Sequence, residues 1–337
     1  MATRNKPRLA IAALTVSHGI VLLAGLFAPY DPGSQNRELP FAPPTQIHFI
    51  DARKKLHLRP FVYRLRADAE NDGYREDRSQ AYPLRFFSRR HLFGTDPPSK
   101  IFLMGSDAYG RDQFSRFLYG GRISLFAGLL ATVISLSVGM MLGGAAGFYG
   151  GWVDDLIMRT AEIFLALPWL YLLFAVRAFL PLHIAPNGIF LLLIAVIGVI
   201  GWARPGRLIR GIVLSARERN YVLAARGFGA SDIYLLRRHL LPQAVSVALA
   251  QAAILIPNYV LAEVVLSFFG LGVSEPAPSW GNLLANLREY NVLESYWWML
   301  LPALALTPVI LAYYSLFSYY GYYSAGGTSW RSSKLRT

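Results

Sequence analysis

The chain contains no cysteine, which excludes disulfides, thiolate metal sites and cysteine nucleophiles. Charge is scarce as well: Asp, Glu, Lys and Arg make up 16% of the 337 residues, against roughly 25% in an average soluble domain. Acid is the scarcer sign, with 20 Asp and Glu against 33 Lys and Arg and a formal net charge of +13. A phosphate loop is also missing. The glycine-rich stretch 143–151, GGAAGFYGG, lacks the Lys-Ser/Thr pair that reaches phosphates, and no strand pattern precedes it. Glycines there suit a close-packed helix end and a tight turn. The six histidines have no spacing that puts two metal ligands on one helix face, and no serine sits in a nucleophile elbow. The expectation is a non-catalytic protein with no cofactor and no metal.

What is abundant is apolar. Hydrophobic residues make up 54% of the chain, arranged in six stretches at about 9–27, 123–148, 156–180, 188–203, 244–269 and 297–320. Runs of about 18 or more such residues are long enough to cross the hydrocarbon of a bilayer as helix. The predicted fold is therefore an all-α, polytopic bundle of about six transmembrane helices. The first stretch follows Arg4, Lys6 and Arg8 like a signal peptide, but Ala28-Pro29-Tyr30 is a poor cleavage site and more spans follow, so it reads as an uncleaved span. The arginines cluster beside apolar spans rather than in a nucleic-acid-binding fold, so no nucleic acid is expected; membrane lipid is.

Basic residues in short flanks set orientation. Arg331, Lys334 and Arg336 lie in the C-terminal tail, and eight arginines lie between Arg204 and Arg238. An even number of spans then places both termini and this loop in the cytoplasm. The expected organisation is a cytoplasmic tail and first helix (1–28), an extracytoplasmic segment (29–122), a five-helix core (123–320) with a cytoplasmic loop (204–243), and a cytoplasmic tail (321–337). The extracytoplasmic segment carries proline and polar clusters and few long apolar runs, so a small elaboration with part of it poorly ordered is expected. Trp280, Trp297 and Trp298 suit an interfacial aromatic belt. Pro168, Pro257, Pro302 and Pro308 fall inside spans, where they free carbonyls and allow kinks.

Ionisable groups in apolar stretches are costly in lipid. Arg159 and Glu162 are three apart and can pair on one helix face, and Arg177 is placed to snorkel. Glu263 is open to two readings, a role in a pathway or a buried structural hydrogen bond. Phe268, Gly270, Gly272 and Trp280, in the turn-rich sequence that follows it, complete the pathway or gate candidates.

The loop 221–243, YVLAARGFGASDIYLLRRHLLPQ, is patterned as a short helix, a turn at Gly229, and a second helix ending at Pro242. It resembles the EAA loop of permease subunits of ABC importers, with Ala224, Ala225, Gly229, Leu241 and Pro242 in matching places. Leu223 replaces the usual glutamate and His239 the usual isoleucine, as in the peptide-transporter branch. Two more segments resemble that branch: Gly110-Arg111-Asp112 with Ser115-Arg116 and 121–125, GRISL, and 266–272, LSFFGLG, with 278–281, PSWG. The chain is thus identified as a member of the peptide/nickel-type, dipeptide/oligopeptide permease C-like family of binding-protein-dependent inner-membrane components.

That resemblance implies a type I importer permease in a bacterial inner membrane. Its partners would be a second permease subunit, two cytoplasmic ATPase subunits and an extracytoplasmic solute-binding protein that delivers a peptide-like solute. Tyr221, Leu223, Ala224, Ala225, Arg226, Gly229, Ser231, His239 and Pro242 would be the ATPase-coupling residues, with Leu223, Ala224, Ala225 and Phe228 as the apolar docking face. A secondary transporter or channel without an ATPase partner is the rival reading; it calls for an internal repeat, which the sequence lacks.

Overall fold

The computed structural model describes residues 6–68, 73–88, 91–179 and 186–324. Arg4 and the three basic residues of the C-terminal tail fall outside them, and the Arg177 side chain is likewise outside what is described. Each of the six apolar stretches is helical over most of its described residues. Three helices are long and apolar enough to cross a membrane: Gln113–Tyr149, Asp232–Phe268 and Trp297–Tyr319. Two bent pairs, Gly151–Ala166 with Trp169–Val176 and Phe190–Ile200 with Ala203–Ala216, raise that number to five if each is one span, and the first apolar helix, Arg8–Leu22, is shorter.

In chain order the helices are α1 (Lys6–Leu22), α2 (Ala24–Phe27), α3 (Gln113–Tyr149), α4 (Gly151–Ala166), α5 (Trp169–Phe179), α6 (Pro186–Ile200), α7 (Ala203–Ala216), α8 (Asn220–Gly227), α9 (Asp232–Leu235), α10 (Leu241–Phe268), α11 (Trp280–Ala285), α12 (Tyr290–Ser295) and α13 (Leu301–Ser324). The prolines act by position. Pro168 ends α4 and turns the chain by 95° into α5. Pro302 sits where the 3₁₀ turn Trp297–Leu300 passes into α13. Pro257 and Pro308 lie inside α10 and α13.

The chain forms two compact units. The first comprises the described residues up to Leu14, Phe126–Glu263, and those from Val309 onward. Here α3 carries Gly139, Gly143 and Gly147 at four-residue spacing, one stripe along a helix. A Cβ at Gly143 would lie 2.2 Å from the Gly206 carbonyl oxygen, and one at Gly147 would lie 2.7 Å from that of Arg210. The stripe therefore lets the backbones of α3 and α7 touch, as small residues do between membrane helices. The glycine run 143–151 thus packs a helix end, then turns through Gly150 and Gly151, both at positive φ. The Arg217 guanidinium donates to the Gly147 and Phe148 carbonyls at 3.0 and 3.4 Å, satisfying acceptors that the end of α3 leaves open.

The second unit, Thr15–Leu125 and Val264–Pro308, contains the main departure from expectation. The segment between α2 and α3 carries antiparallel β-structure. Strands β1 (His48–Ile50), β2 (Leu56–Asp68) and β3 (Gly73–Pro83) form one sheet in that order, and β4 (Arg85–Ser88) pairs with β5 (His91–Gly94). Pro60 lies in central strand β2, where a proline is unwelcome, but it falls in the irregularity between the His48–Phe61 and Ile50–Leu56 pairs, where no ladder bond is lost. The core is small: Val62, Leu84 and Ile101 are buried, with Tyr30, Tyr82, Phe93 and Leu103 against them. Burial of the Tyr30 phenol pushes its pKa up to about 12, and its hydroxyl accepts the Ile101 amide at 2.9 Å. The apolar residues come in runs of no more than three, such as Phe61-Val62-Tyr63, between charged residues, so no run was long enough to reveal this sheet.

Candidate functional site

The loop between α7 and α10 lies within the first unit. Helix α8 turns two residues inward: Val222 is buried and Ala225 packs on the same cluster, which includes Phe148, Ile209, Val213, Leu235 and Leu240. Tyr221, Ala224 and Phe228 recur at three- and four-residue spacing, so they stack on the other side of the helix. All three are exposed, as is Leu223, and Phe228 is 93% exposed. Ala225 is therefore removed from the expected outer face, because it is needed beneath the helix.

Gly229, at φ +83°, ends α8. The Gly229 amide donates to the Arg226 carbonyl and the Ala230 amide to the Ala225 carbonyl, each at 3.0 Å. This is the paired-bond helix stop known as the Schellman motif, which places a left-handed residue after the last helical turn. Ala230 and Ala225 both pack on the core, the apolar contact that accompanies the motif. Ser231 then caps α9, accepting the Tyr234 amide at 3.4 Å. Arg226 reaches across the turn to Asp232 at 3.5 Å and stands 5.4 Å from the centre of the Phe148 ring.

The second helix does not end at Pro242. After α9 a π-turn, Leu236–Leu240, leads into α10 without a break. The wider hydrogen-bond spacing of a π-turn accommodates a position with no N–H to donate. His239 lies between Tyr221 and Tyr234, with ring centroids at 6.0 and 5.5 Å. Its carbonyl accepts the Gln243 side chain at 2.8 Å, and Gln243 also bonds the Tyr221 hydroxyl. Ile233 and Tyr234 are exposed beside these groups. Sequence reasoning missed both; the signal available was the Ser231 cap, which fixes α9 so that Leu235 points in and Ile233 and Tyr234 point out. The result is an exposed apolar surface across two helices, standing on a buried base.

The other two motif segments meet in the second unit. Asp112 is the N-cap of α3: its carboxylate accepts the Ser115 amide at 2.8 Å and the Ser115 hydroxyl at 2.6 Å. Burial raises its pKa to about 7, outweighing those bonds. Arg111 donates to Asp107 at 2.6 Å and to Glu275 at 2.7 and 3.3 Å. Arg116, fully buried, also donates to Glu275, at 2.6 Å. Glu275 lies in the turn after α10, so two sequence motifs more than 150 residues apart are joined by one carboxylate.

That turn starts with a second helix stop of the same kind. Gly270, at φ +76°, donates to the Ser267 carbonyl and Leu271 to the Leu266 carbonyl. A Cβ on Gly272 would lie 2.2 Å from the Ser267 hydroxyl oxygen. Ser279 and Asn282 then form a reciprocal capping box that starts α11. Trp280 is buried, stacked on Phe117 with centroids 5.6 Å apart, and donates from its indole to the Phe117 carbonyl at 3.0 Å. Trp298 is buried too and donates to the Ser106 carbonyl. Only Trp297 of the three expected belt residues is exposed; the other two indoles spend their N–H groups on protein carbonyls. Phe268 stands 5.8 Å from the Arg288 guanidinium.

Glu263, in the first unit, is completely buried in α10. The expected Arg159–Glu162 pair forms at 2.9 Å on an exposed face of α4. A pair that the sequence analysis did not foresee, Arg210 with Asp154, joins α7 to α4.

These features define a multi-pass helical membrane protein with a helix–turn–helix loop presented on a packed base. Residues 139–321 match the model of the binding-protein-dependent transport system inner membrane component, and the chain belongs to that family. It is 36% identical over 218 residues to the dipeptide transport system permease protein DppC of Bacillus subtilis, covering 64% of this chain and 66% of that protein. It is 38% identical over 216 residues to a putative peptide permease protein of Brucella ovis, 64% of this chain and 70% of the relative. It is 37% identical over 201 residues to the oligopeptide transport system permease protein OppC of Bacillus subtilis, 59% and 64% respectively. The match thus spans about two thirds of each relative's length. A solved amino acid ABC transporter superposes at a TM-score of 0.44 with 16% identity, over 61% of this chain and 92% of that one.

Proposed function

We propose that this chain is the transmembrane permease subunit of an ATP-driven importer for peptides or peptide-like solutes. It forms half of the translocation pathway beside a second permease subunit, receives solute from an extracytoplasmic binding protein, and is driven by two cytoplasmic ATPase subunits. It is itself non-catalytic. Both termini and the loop 204–243 are cytoplasmic, residues 29–122 are extracytoplasmic, and 123–320 form the permease core.

The observation that carries this reading is the exposed apolar surface of Tyr221, Leu223, Ala224 and Phe228 with Ile233 and Tyr234. Large exposed apolar patches on an ordered base mark interaction sites. The base is continuous with α10 through the π-turn, so a push on α8 and α9 is delivered to a span instead of being absorbed by a loose linker. Closure of the ATPases against this surface would then rock the span between inward- and outward-facing states. Relatives 36% and 37% identical to this chain are named for dipeptide and oligopeptide transport, which supports a peptide-like solute. Glu263, Phe268, Gly270, Gly272 and Trp280 remain the pathway and gate candidates; the buried stacking of Trp280 favours a structural part for that residue.

The test is Gly229→Asp in the assembled importer. Aspartate tolerates the left-handed conformation better than most residues, and nothing lies within 4 Å of the added Cβ, so the only strain is that of the φ of +83° while a charge enters the docking surface. Uptake and its coupling to ATP hydrolysis should fall while the protein stays in the membrane at normal abundance. Normal transport and ATPase stimulation in that variant would refute docking at this loop. Clear ATP hydrolysis by the purified chain alone would refute the subunit assignment.

A further inference from the structure

The β-segment of the second unit carries exposed apolar and cationic side chains outside the loop 221–243 and the charged joint at Glu275. Leu58 is 98% exposed and Phe87 is 80% exposed, with Phe86 beside it. Arg59, Pro83, Arg85, Phe86 and Phe87 line one open groove of about 450 Å³. At the neighbouring β1–β2 turn, Ile50 and Leu56 are cross-strand partners, both exposed, so they share a face. Four cations flank these side chains: Arg53, Lys54, Lys55 and Arg59, all exposed. Asp51, in the same turn, offsets one of these charges and leaves the turn net positive, whereas Arg85 in the groove is paired with Asp96 at 2.6 Å. The Asp51 carboxylate accepts the Arg53 and Lys55 amides at 2.9 Å and pairs with His57 at 3.0 Å.

Position in the fold says what covers this surface. Strand β5 packs against α2, the apolar continuation of α1, and its Phe93 ring meets Phe114 in the first turn of α3 at 6.3 Å between centroids. Strand β4 is paired to β5, with Phe86 opposite Phe93. The β4–β5 hairpin is therefore held beside α2, where the first apolar stretch ends, and beside the polar first turn of α3. For helices that cross a bilayer, that level is the headgroup region. Exposed aromatic and aliphatic side chains interleaved with an excess of Arg and Lys over acid are the composition that binds such a region, apolar groups reaching the acyl boundary and cations meeting lipid phosphates.

We propose that the β1–β2 turn and the β4–β5 hairpin form an interfacial anchor for anionic phospholipid headgroups of the leaflet that α1 and α3 cross. The anchor would hold the β-segment down on the membrane surface. It rests on the reading of these helices as membrane spans and not on the identity of the transported solute.

The absence of native cysteine makes the test direct. Leu58→Cys and Phe87→Cys each create a unique thiol at an exposed position, and the full chain carrying a bimane label is placed in nanodiscs of equal parts phosphatidylethanolamine and phosphatidylglycerol. Nitroxide on the lipid headgroup should quench both labels strongly, while aqueous iodide quenches them weakly. Exchange of phosphatidylglycerol for phosphatidylcholine, or the combined change Arg53→Gln, Lys54→Gln, Lys55→Gln and Arg59→Gln, should cut the lipid quenching by several-fold. Labels that answer to iodide and not to lipid nitroxide would overturn the proposal. So would shielding from iodide that arises only on adding the solute-binding protein, an outcome that would assign the surface to protein docking. Because the labels read lipid contact in the isolated chain, failure here is separable from failure of the importer reading.

Discussion

Glu275→Gln is the perturbation that tests the charged joint between the two motif segments of the second unit. Glu275 accepts from Arg111 at 2.7 and 3.3 Å and from Arg116 at 2.6 Å. The Arg116 side chain is completely buried and that of Arg111 is 6% exposed, while Glu275 is 46% exposed. Glutamine keeps the shape, removes the charge, and turns one acceptor into a donor that faces a guanidinium. Asp107 then remains to balance two buried cations, and Asp112, which burial holds partly protonated near neutral pH, adds only a fraction of a charge. Removing one partner of a fully buried pair costs about 3–5 kcal/mol. Water reaches nearly half of Glu275, and exposed pairs are worth only about 0–1 kcal/mol, so the expected loss is about 1–3 kcal/mol between those limits. At roughly 2–4 °C per kcal/mol for a cooperative unit of 150–250 residues, the midpoint should fall by about 2–12 °C. Thermal unfolding of the detergent-solubilised chain, followed by tryptophan fluorescence, reads this shift. In an Arg111→Met background the same change should cost less, by on the order of 1 kcal/mol. A Glu275→Gln variant within about 0.5 kcal/mol of the parent, the range of ordinary surface substitutions, or one whose cost is unchanged by Arg111→Met, would refute the joint.

Gly143→Val should force α3 and α7 apart, because the added Cβ meets the Gly206 carbonyl oxygen at 2.2 Å; overpacking of this kind costs about 1–3 kcal/mol or more. Gly211→Ala on α7 meets nothing within 4 Å and should be neutral to stabilising by about 0.5–1 kcal/mol, so similar thermal midpoints for the two variants would refute the close-approach argument. Asp112 gives a pH dependence of definite sign. Its pKa is raised from 3.8 to about 7, so the folded state holds its proton more tightly than the unfolded state, and the stability contributed is full below about pH 4 and lost as pH rises through about 7. Asp112→Asn, which keeps a good cap, should flatten the fall of the thermal midpoint between those pH values; an unchanged pH profile would show that Asp112 is ionised throughout.

Much of the fold was legible because bilayer-length apolar runs admit few structures: with no water to satisfy backbone groups, a run such as 244–269 must be helical. Gly229 was legible for a similar local reason. Two apolar helical patterns flank a pair of glycines, Gly227 and Gly229, the motif match singles out the second, and only glycine takes the left-handed turn there without strain. The glycine stripe of α3 was visible as composition, whereas its partner on α7 was not. The β-segment was hidden, since its longest strand is interrupted by Pro60, its strands are rich in arginine, and their pairing depends on register that no local pattern carries.

Sequence by itself determined which stretches are apolar helices, where α8 stops, and which three motifs mark the family, because each of these depends on residues near one another in the chain. Tertiary structure alone decided what those residues touch. It turned Ala225 and Val222 inward, carried α9 through Pro242 into α10, buried Trp280 and Trp298 against carbonyls, and brought Glu275 to Arg111 and Arg116. The physical reason is that helix and cap energetics are local, whereas burial of charge and aromatic surface is settled by partners that chain separation does not reveal.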